Sequence, residues 1–237
     1  MYNLHALVRK NVHCATTQFE RFGQVANNIA NIQTKAYKTT KFEQMLREDG
    51  YITGVLRTDM RQGDLLVTNN PYDVGINGHG YIPVISPEGE IQYTRDGSFM
   101  CGEGGYLTTI DGWLVGDGIR IPTNCYKLTI APNGDVHSYD NAGAEPLLIG
   151  KIPLVEFESP ESLEIGHNNK VIATEESGEP RLIAEHSSIR QHHIEQSNIN
   201  TYDELNEMLR LNASLIASLN LMKVADDMYN KAINIRE

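Results

Sequence analysis

The sequence predicts an α+β protein, with long terminal helices pairing as a coiled-coil-like core around a central antiparallel all-β domain. Three observations carry this reading. Each end of the chain has an apolar heptad seam, the stretch between them is broken by turn dipeptides every few residues, and no βαβ alternation interrupts that stretch. At the N-terminal end, Val8, Val12, Ala15, Phe19, Phe22, Ala26 and Ile29 follow at alternating steps of four and three, predicting a helix over residues 3–31. At the other end the seam is Leu205, Met208, Leu215, Leu219, Met222, Tyr229 and Ile233, with Asn212 and Asp226 at its two polar positions. Thr201 and Glu204 read as a capping box that starts this second helix. A lone helix cannot bury such a stripe, so the ends must pair with each other or with neighbouring copies.

After the first helix, residues 33–38 lose the apolar period and read as a turn into extended chain. Asn77-Gly78, Asp96-Gly97, Asp111-Gly112, Asp117-Gly118 and Asn133-Gly134 then supply the positive φ of tight hairpins. They separate strand-like runs at 80–86, 90–94, 106–110, 113–115, 119–121 and 127–130. A second β stretch is expected over 147–183, with 149–157 as its clearest strand. The expected domains are residues 1–40 (N-terminal helix), 41–194 (β-rich) and 195–237 (C-terminal helix).

The chain has 237 residues, 22% charged and 40% apolar, enough for a substantial core and unlike a disordered sequence. No apolar run is long enough to span a bilayer, and residues 1–15 lack signal-peptide anatomy. Membrane insertion and a cleaved signal are therefore not expected. Net charge is −11, divided as +4 over residues 1–48, −3 over 195–237 and −12 between. A basic first helix and an acidic last one attract each other, whereas so acidic a chain is a poor nucleic-acid partner. Cys14, Cys101 and Cys125 form an odd set with no metal spacing, so no disulfide framework is expected, and Cys14, beside the helical seam, reads as a small buried hydrophobe.

Four blocks resemble a known family. They are the run Gln24–Lys38; Gln62-Gly63-Asp64-Leu65 with Thr68–Val74 and Ile76–Tyr81; Tyr93–Phe99 with Gly105–Thr109 and Asp111-Gly112; and Glu195–Asn200 with Ala225–Met228. In this order they resemble the axial proteins of the bacterial flagellum, the rod and hook family. Two departures stand out: Ala36 and His192 occupy positions where that family usually carries glycine. In the last helix, residues 212–216 replace the family's usual Gln-Arg-Ala-Tyr-Glu run. Little chain lies between Lys41 and Thr58, which favours a rod protein over the hook. The run 150–157, with Ser159-Pro160 and Leu163, is more similar to the distal than to the proximal rod protein.

The resemblance implies a self-assembling structural subunit of the basal-body rod, forming a helical tube that transmits torque and encloses an export channel. Its partners would be copies of itself and other axial proteins of the rod and hook. It would reach the periplasmic rod through the flagellar type III export apparatus, without signal cleavage. The residues expected to carry subunit contacts are Val12, Phe19, Phe22, Ala26, Asn28, Ile29 and Asn31 in the first helix. In the second they are Leu205, Leu209, Asn212, Leu215, Leu219, Met222, Asp226 and Tyr229. Asn27, Asn28 and Asn31 fit two readings, helix termination or amide bonding between subunits that fixes register.

No enzyme chemistry is expected. Gly75-x-x-Gly78-x-Gly80 is not followed by a helix and has no phosphate lysine, so it reads as a hairpin cluster. His186, His192 and His193 read as part of a polar segment rather than a metal site. Among Glu156, Glu158, Glu161, Glu164, Glu175 and Glu176 nothing selects the acid pair a glycosidase would need. No cofactor or metal is implied. The competing readings are a monomeric β-rich ligand-binding or scaffold protein of the cell envelope, a repurposed rod paralogue, and, less favoured, an enzyme acting on cell-wall glycan.

Overall fold

The first amphipathic stretch forms helix α1, Leu4–Ala30, and the last forms α2, Thr201–Asn234. The computed structural model describes residues 4–46, 52–183 and 187–234. The chain divides into a helical unit (Met1–Ile32, Thr39–Asp59 and Ile199–Glu237) and a β-rich unit (Gln33–Lys38 and Met60–Asn198). The hairpin Thr40–Leu46/Ile52–Thr58, which lies within the central β-rich span by sequence, therefore belongs with the helices.

In the helical unit, α1 and α2 run antiparallel: Gln18 meets Ser214, Arg21 meets Glu207 and Asn28 meets Glu204, one number rising as the other falls. The Arg21–Glu207 ion pair joins the basic helix to the acidic one. The inward face of α2 is Glu204, Met208, Leu211, Leu215, Ser218, Met222 and Ala225, again at steps of four and three. It shares Met208, Leu215 and Met222 with the seam read from sequence, but at the alternate positions it uses the residue one place earlier. On α1, Ala15, Gln18, Val25 and Asn28 are buried, whereas Val12, Phe19 and Phe22 lie outside. Polar matching accompanies the rotation: on this face Asn28 satisfies its whole amide and Gln18 Nε2 reaches Ser214 Oγ (2.9 Å), although Gln18 Oε1 stays buried without a partner.

The α2 start also differs from expectation. Asn200 Oδ1 accepts from the Tyr202 N–H (3.0 Å), so Asn200 caps the helix and Thr201 is its first residue. Glu204 has been taken by Asn28. At the end of α1, Asn31 Nδ2 donates to the Asn27 carbonyl (2.9 Å).

The β-rich unit is antiparallel throughout. Its largest sheet has seven strands in the order Glu164–Ile165, Val171–Ile172, Ile91–Thr94, Ile82–Ile85, Leu114–Val115, Leu107–Thr108 and Met100–Cys101. Beside it are a three-stranded sheet, Lys127–Ile130/Asp135–Tyr139/Leu147–Lys151, and three two-stranded ribbons. Val74, Ile76, Ile82, Phe99, Leu107, Val115, Val136, Ile152 and Ile189 belong to the main core. A second cluster centres on Phe157, set edge-on to Tyr93 (4.9 Å) and Tyr81 (5.9 Å).

The single strand expected over 149–157 is split into Leu147–Lys151 and Val155–Glu156, which join different sheets. Pro153 lies in the break and has no N–H for a ladder. Residues 119–121 form no strand, although the Ile119 carbonyl accepts from the Leu107 N–H (2.8 Å). The polar segment containing His192 and His193 forms two strands, Ser188–Gln191 on Val74–Asn77 and His193–Glu195 on Leu65–Val67. The change of partner falls at His192, whose φ of 59° turns the chain.

Ala36 has φ 53° and is buried. Both positions where the family usually carries glycine are thus left-handed here. For an L-residue this conformation costs roughly 1–2 kcal/mol, of which glycine's greater freedom in the unfolded chain returns part. Ala36→Gly is expected to stabilise the β-rich unit by about 0.5 kcal/mol, read as a higher denaturant midpoint at unchanged slope.

Candidate subunit-contact surface

What the helical unit leaves uncovered is apolar and regular. On α1, Val12, Phe19 and Phe22 are 49%, 57% and 36% exposed. On α2, Tyr202, Leu205, Leu209, Ile216 and Leu219 follow at helical spacing, all exposed, and Leu219 at 50% is typical. Single exposed apolar residues are ordinary, but rows of them on successive turns mark surfaces that another molecule covers. The row on α2 sits one residue beyond the inward face, so the helix carries two apolar stripes and its own chain fills one.

The residues expected at contacts divide accordingly. Val12, Phe19, Phe22, Leu205, Leu209, Asn212, Leu219 and Asp226 are exposed, while Ala26, Ile29, Asn31, Leu215 and Met222 are half-buried. The Tyr229 side chain lies outside the described residues.

Asn28 is 2% exposed and uses its whole amide within the chain. Its Nδ2 donates to the Thr40 carbonyl (2.9 Å) and to Glu204 Oε1 (3.3 Å). Its Oδ1 accepts from the Thr40 N–H (3.2 Å) and from Gln24 Nε2 (3.4 Å). Asn28 thus pairs with Thr40 as a strand residue would and fixes where the hairpin leaves α1. Burial pushes the Glu204 carboxyl up, against the Asn28 hydrogen bond that lowers it, with Glu207 raising it further. A groove of about 760 Å³ lies here, lined in part by Arg21, Val25, Asn28, Phe42, Glu204 and Arg210.

Sequence reading missed the charged centre of the β-rich unit. Glu195 is fully buried; its Oε1 accepts from Lys38 Nζ (2.5 Å) and the Gly63 N–H (3.1 Å), and its Oε2 from Arg95 Nε (2.8 Å). Arg95 also donates to the carbonyls of Gly80 (2.6 Å) and Gly78 (3.0 Å), so the glycine cluster receives a guanidinium. One signal was available: Lys38, Arg95 and Glu195 each fall in a different motif block. Elsewhere in this unit, burial tends to raise the Asp111 carboxyl, but hydrogen bonds from Lys170 and Thr109 prevail and hold it at about 2.

His192 Nδ1 lies 3.1 Å from the Asn70 carbonyl and His193 Nδ1 2.8 Å from that of Gln191, while His186 is outside the described residues. Among the described residues no group of three or more His, Cys, Asp or Glu could hold a metal ion, and no helix is long and apolar enough to cross a membrane.

Two terminal helices packed together and an antiparallel β-rich unit make up the architecture, and comparison with known proteins gives its class, a structural subunit of the flagellar axis. The model of the flagellar hook protein FlgE/F/G D1 domain matches residues 75–138, and that of the flagellar basal body rod FlgEFG protein C-terminal region matches residues 190–235. The flagellar basal-body rod protein FlgG of Caulobacter vibrioides is 30% identical over 241 residues, covering 90% of this chain and 92% of its own length. FlgG of Buchnera aphidicola subsp. Acyrthosiphon pisum is also 30% identical, covering 87% and 90%. The basal-body rod protein FlgF of Mesorhizobium japonicum is 27% identical, covering 90% of each chain. The chain belongs to the flagellar basal-body rod protein family, and its role is structural, as a subunit of the flagellar basal-body rod.

Proposed function

We propose that this subunit polymerises through its terminal helices into a helical tube that transmits torque and encloses an export channel. The observation that carries the reading is the pair of uncovered apolar rows, Val12–Phe19–Phe22 on α1 and Leu205–Leu209–Leu219 on α2. Neighbouring copies would cover them, completing a coiled-coil-like core from the helix pair already formed within each chain. Partners are copies of itself and the other axial proteins of rod and hook. Delivery is by the flagellar type III export apparatus without signal cleavage, to the periplasmic rod, at a distal place along it. The role needs no cofactor and no catalytic group.

The test is deletion of the gene in the source organism, with electron cryotomography of the basal bodies. Structures that stop at or within the rod are the expected result, and the point of truncation distinguishes a distal from a proximal place. Complete rods and hooks would overturn the assignment of an essential axial position and favour a repurposed paralogue.

A further inference from the structure

We infer that Glu195, Lys38 and Arg95 form a lock that makes three distant stretches of the β-rich unit, residues 33–38, 61–64 and 195–198, open and close as one. These stretches hold one another mainly through polar contacts. The Ala36 N–H donates to the Glu195 carbonyl (2.9 Å), the Asn198 N–H to that of Tyr37 (3.3 Å) and the Gln196 N–H to that of Asp64 (2.8 Å). Lys38 Nζ and Asn198 Nδ2 both donate to the Arg61 carbonyl (2.8 and 2.9 Å). Gly63 packs so closely that a Cβ there would sit 2.1 Å from the Gln196 carbonyl oxygen. Stretches with so little apolar burial ordinarily sit at the low-stability end of a fold and open independently.

The carboxylate makes these stretches behave differently. It is 0% exposed and touches all three: it belongs to 195–198, binds Lys38 of 33–38, and accepts from the backbone of 61–64. Arg95 ties it to the core, because it directly follows the strand Ile91–Thr94, donates to two backbone carbonyls and lies 5.8 Å from the Tyr81 ring centre. Opening 33–38 or 195–198 would separate a buried charge from an ionic partner, and opening 61–64 would take the Gly63 N–H from the buried carboxylate, so opening any one costs the others and the three move together. Residues 33–38 follow α1 in sequence and residues 195–198 precede α2. The lock therefore lies at points where the chain passes between the two units.

The test is amide hydrogen exchange on the unassembled full-length chain, so its failure would leave the rod assignment untouched. Glu195→Gln is expected to speed exchange at Ala36, Gly63, Gln196 and Asn198 by at least a hundredfold and by similar factors. Val84, Leu107 and Val115 in the core should keep their rates. Lys38→Met, which retains the packing stem and leaves Glu195 with Arg95, should release the same four amides and serves if Glu195→Gln does not fold. The double variant, lacking both charges, should exchange more slowly at these amides than Glu195→Gln alone. Acceleration confined to Gly63, acceleration extending equally to the core, or a double variant as fast as the sum of the singles would each overturn the lock.

Discussion

A Phe22→Asp chain is expected to fold and yet to be missing from rods, and Leu219→Asp is expected to behave in the same way. Phe22 is 36% and Leu219 50% exposed in the single chain, so a carboxylate at either position stays solvated and costs the isolated subunit little. Once a neighbouring copy covers the same position, that carboxylate must lose its water against apolar side chains. This costs several kcal/mol at each contact, enough to weaken assembly by two or more orders of magnitude. Because every subunit repeats the defect, the penalty recurs throughout the polymer. Circular dichroism of the purified variants should match the parent, while rods in a strain carrying only the variant should be absent by electron cryotomography. Normal rods from either variant would remove these two rows from the subunit interface.

Asn28→Ala is expected to act oppositely, damaging the chain before any assembly. All four hydrogen-bonding positions of the Asn28 amide are occupied, by Thr40 twice, by Glu204 and by Gln24. Alanine leaves the Thr40 N–H and carbonyl without these partners and removes the donor from a partly buried carboxylate. The cost should be about 2–4 kcal/mol, a large share of what a small helical unit possesses. The β-rich unit has its own core and should be spared. Thermal melting followed at 222 nm should show the helical signal lost at lower temperature, while near-ultraviolet signals from Tyr81, Tyr93 and Trp113 keep their midpoint. Asn28→Asp should do no better than alanine, because it replaces two donors with acceptors and faces Glu204 with a second negative charge. A variant as stable as the parent would return Asn28 to the alternative reading, a contact between subunits.

Local and periodic features of the fold were legible in the chain. The two helices are dictated by three-and-four spacing and by the absence of proline and glycine across α2. Two hairpins follow from aspartate or asparagine before glycine, Asp111-Gly112 and Asn133-Gly134 with positive φ at each glycine, whereas Asp96-Gly97 makes no such turn and Gly97 is not at positive φ. The strands at 91–94 and 127–130 came from the same short-range rules. Even the two family departures were interpretable, since Ala36 and His192 occupy left-handed positions.

What the sequence by itself determined is therefore the two helices and the β character of the stretch between them, along with the existence of an apolar stripe too large for one helix to hide. Only the tertiary structure decided how that stripe is shared. Periodicity shows that Leu205, Met208, Leu215 and Leu219 lie on one side of α2, but not that the helix turns to keep Met208 and Leu215 inward, bury Leu211 and Ala225, and leave Leu205 and Leu219 exposed. That rotation goes with the pairing of Arg21 to Glu207 and Asn28 to Glu204, residues about 180 positions apart in sequence. The buried centre at Glu195 is of the same kind. A glutamate, a lysine and an arginine read singly as surface residues, and only the convergence of three distant strands and turns removes them from water together, so that each becomes the condition for the others' burial.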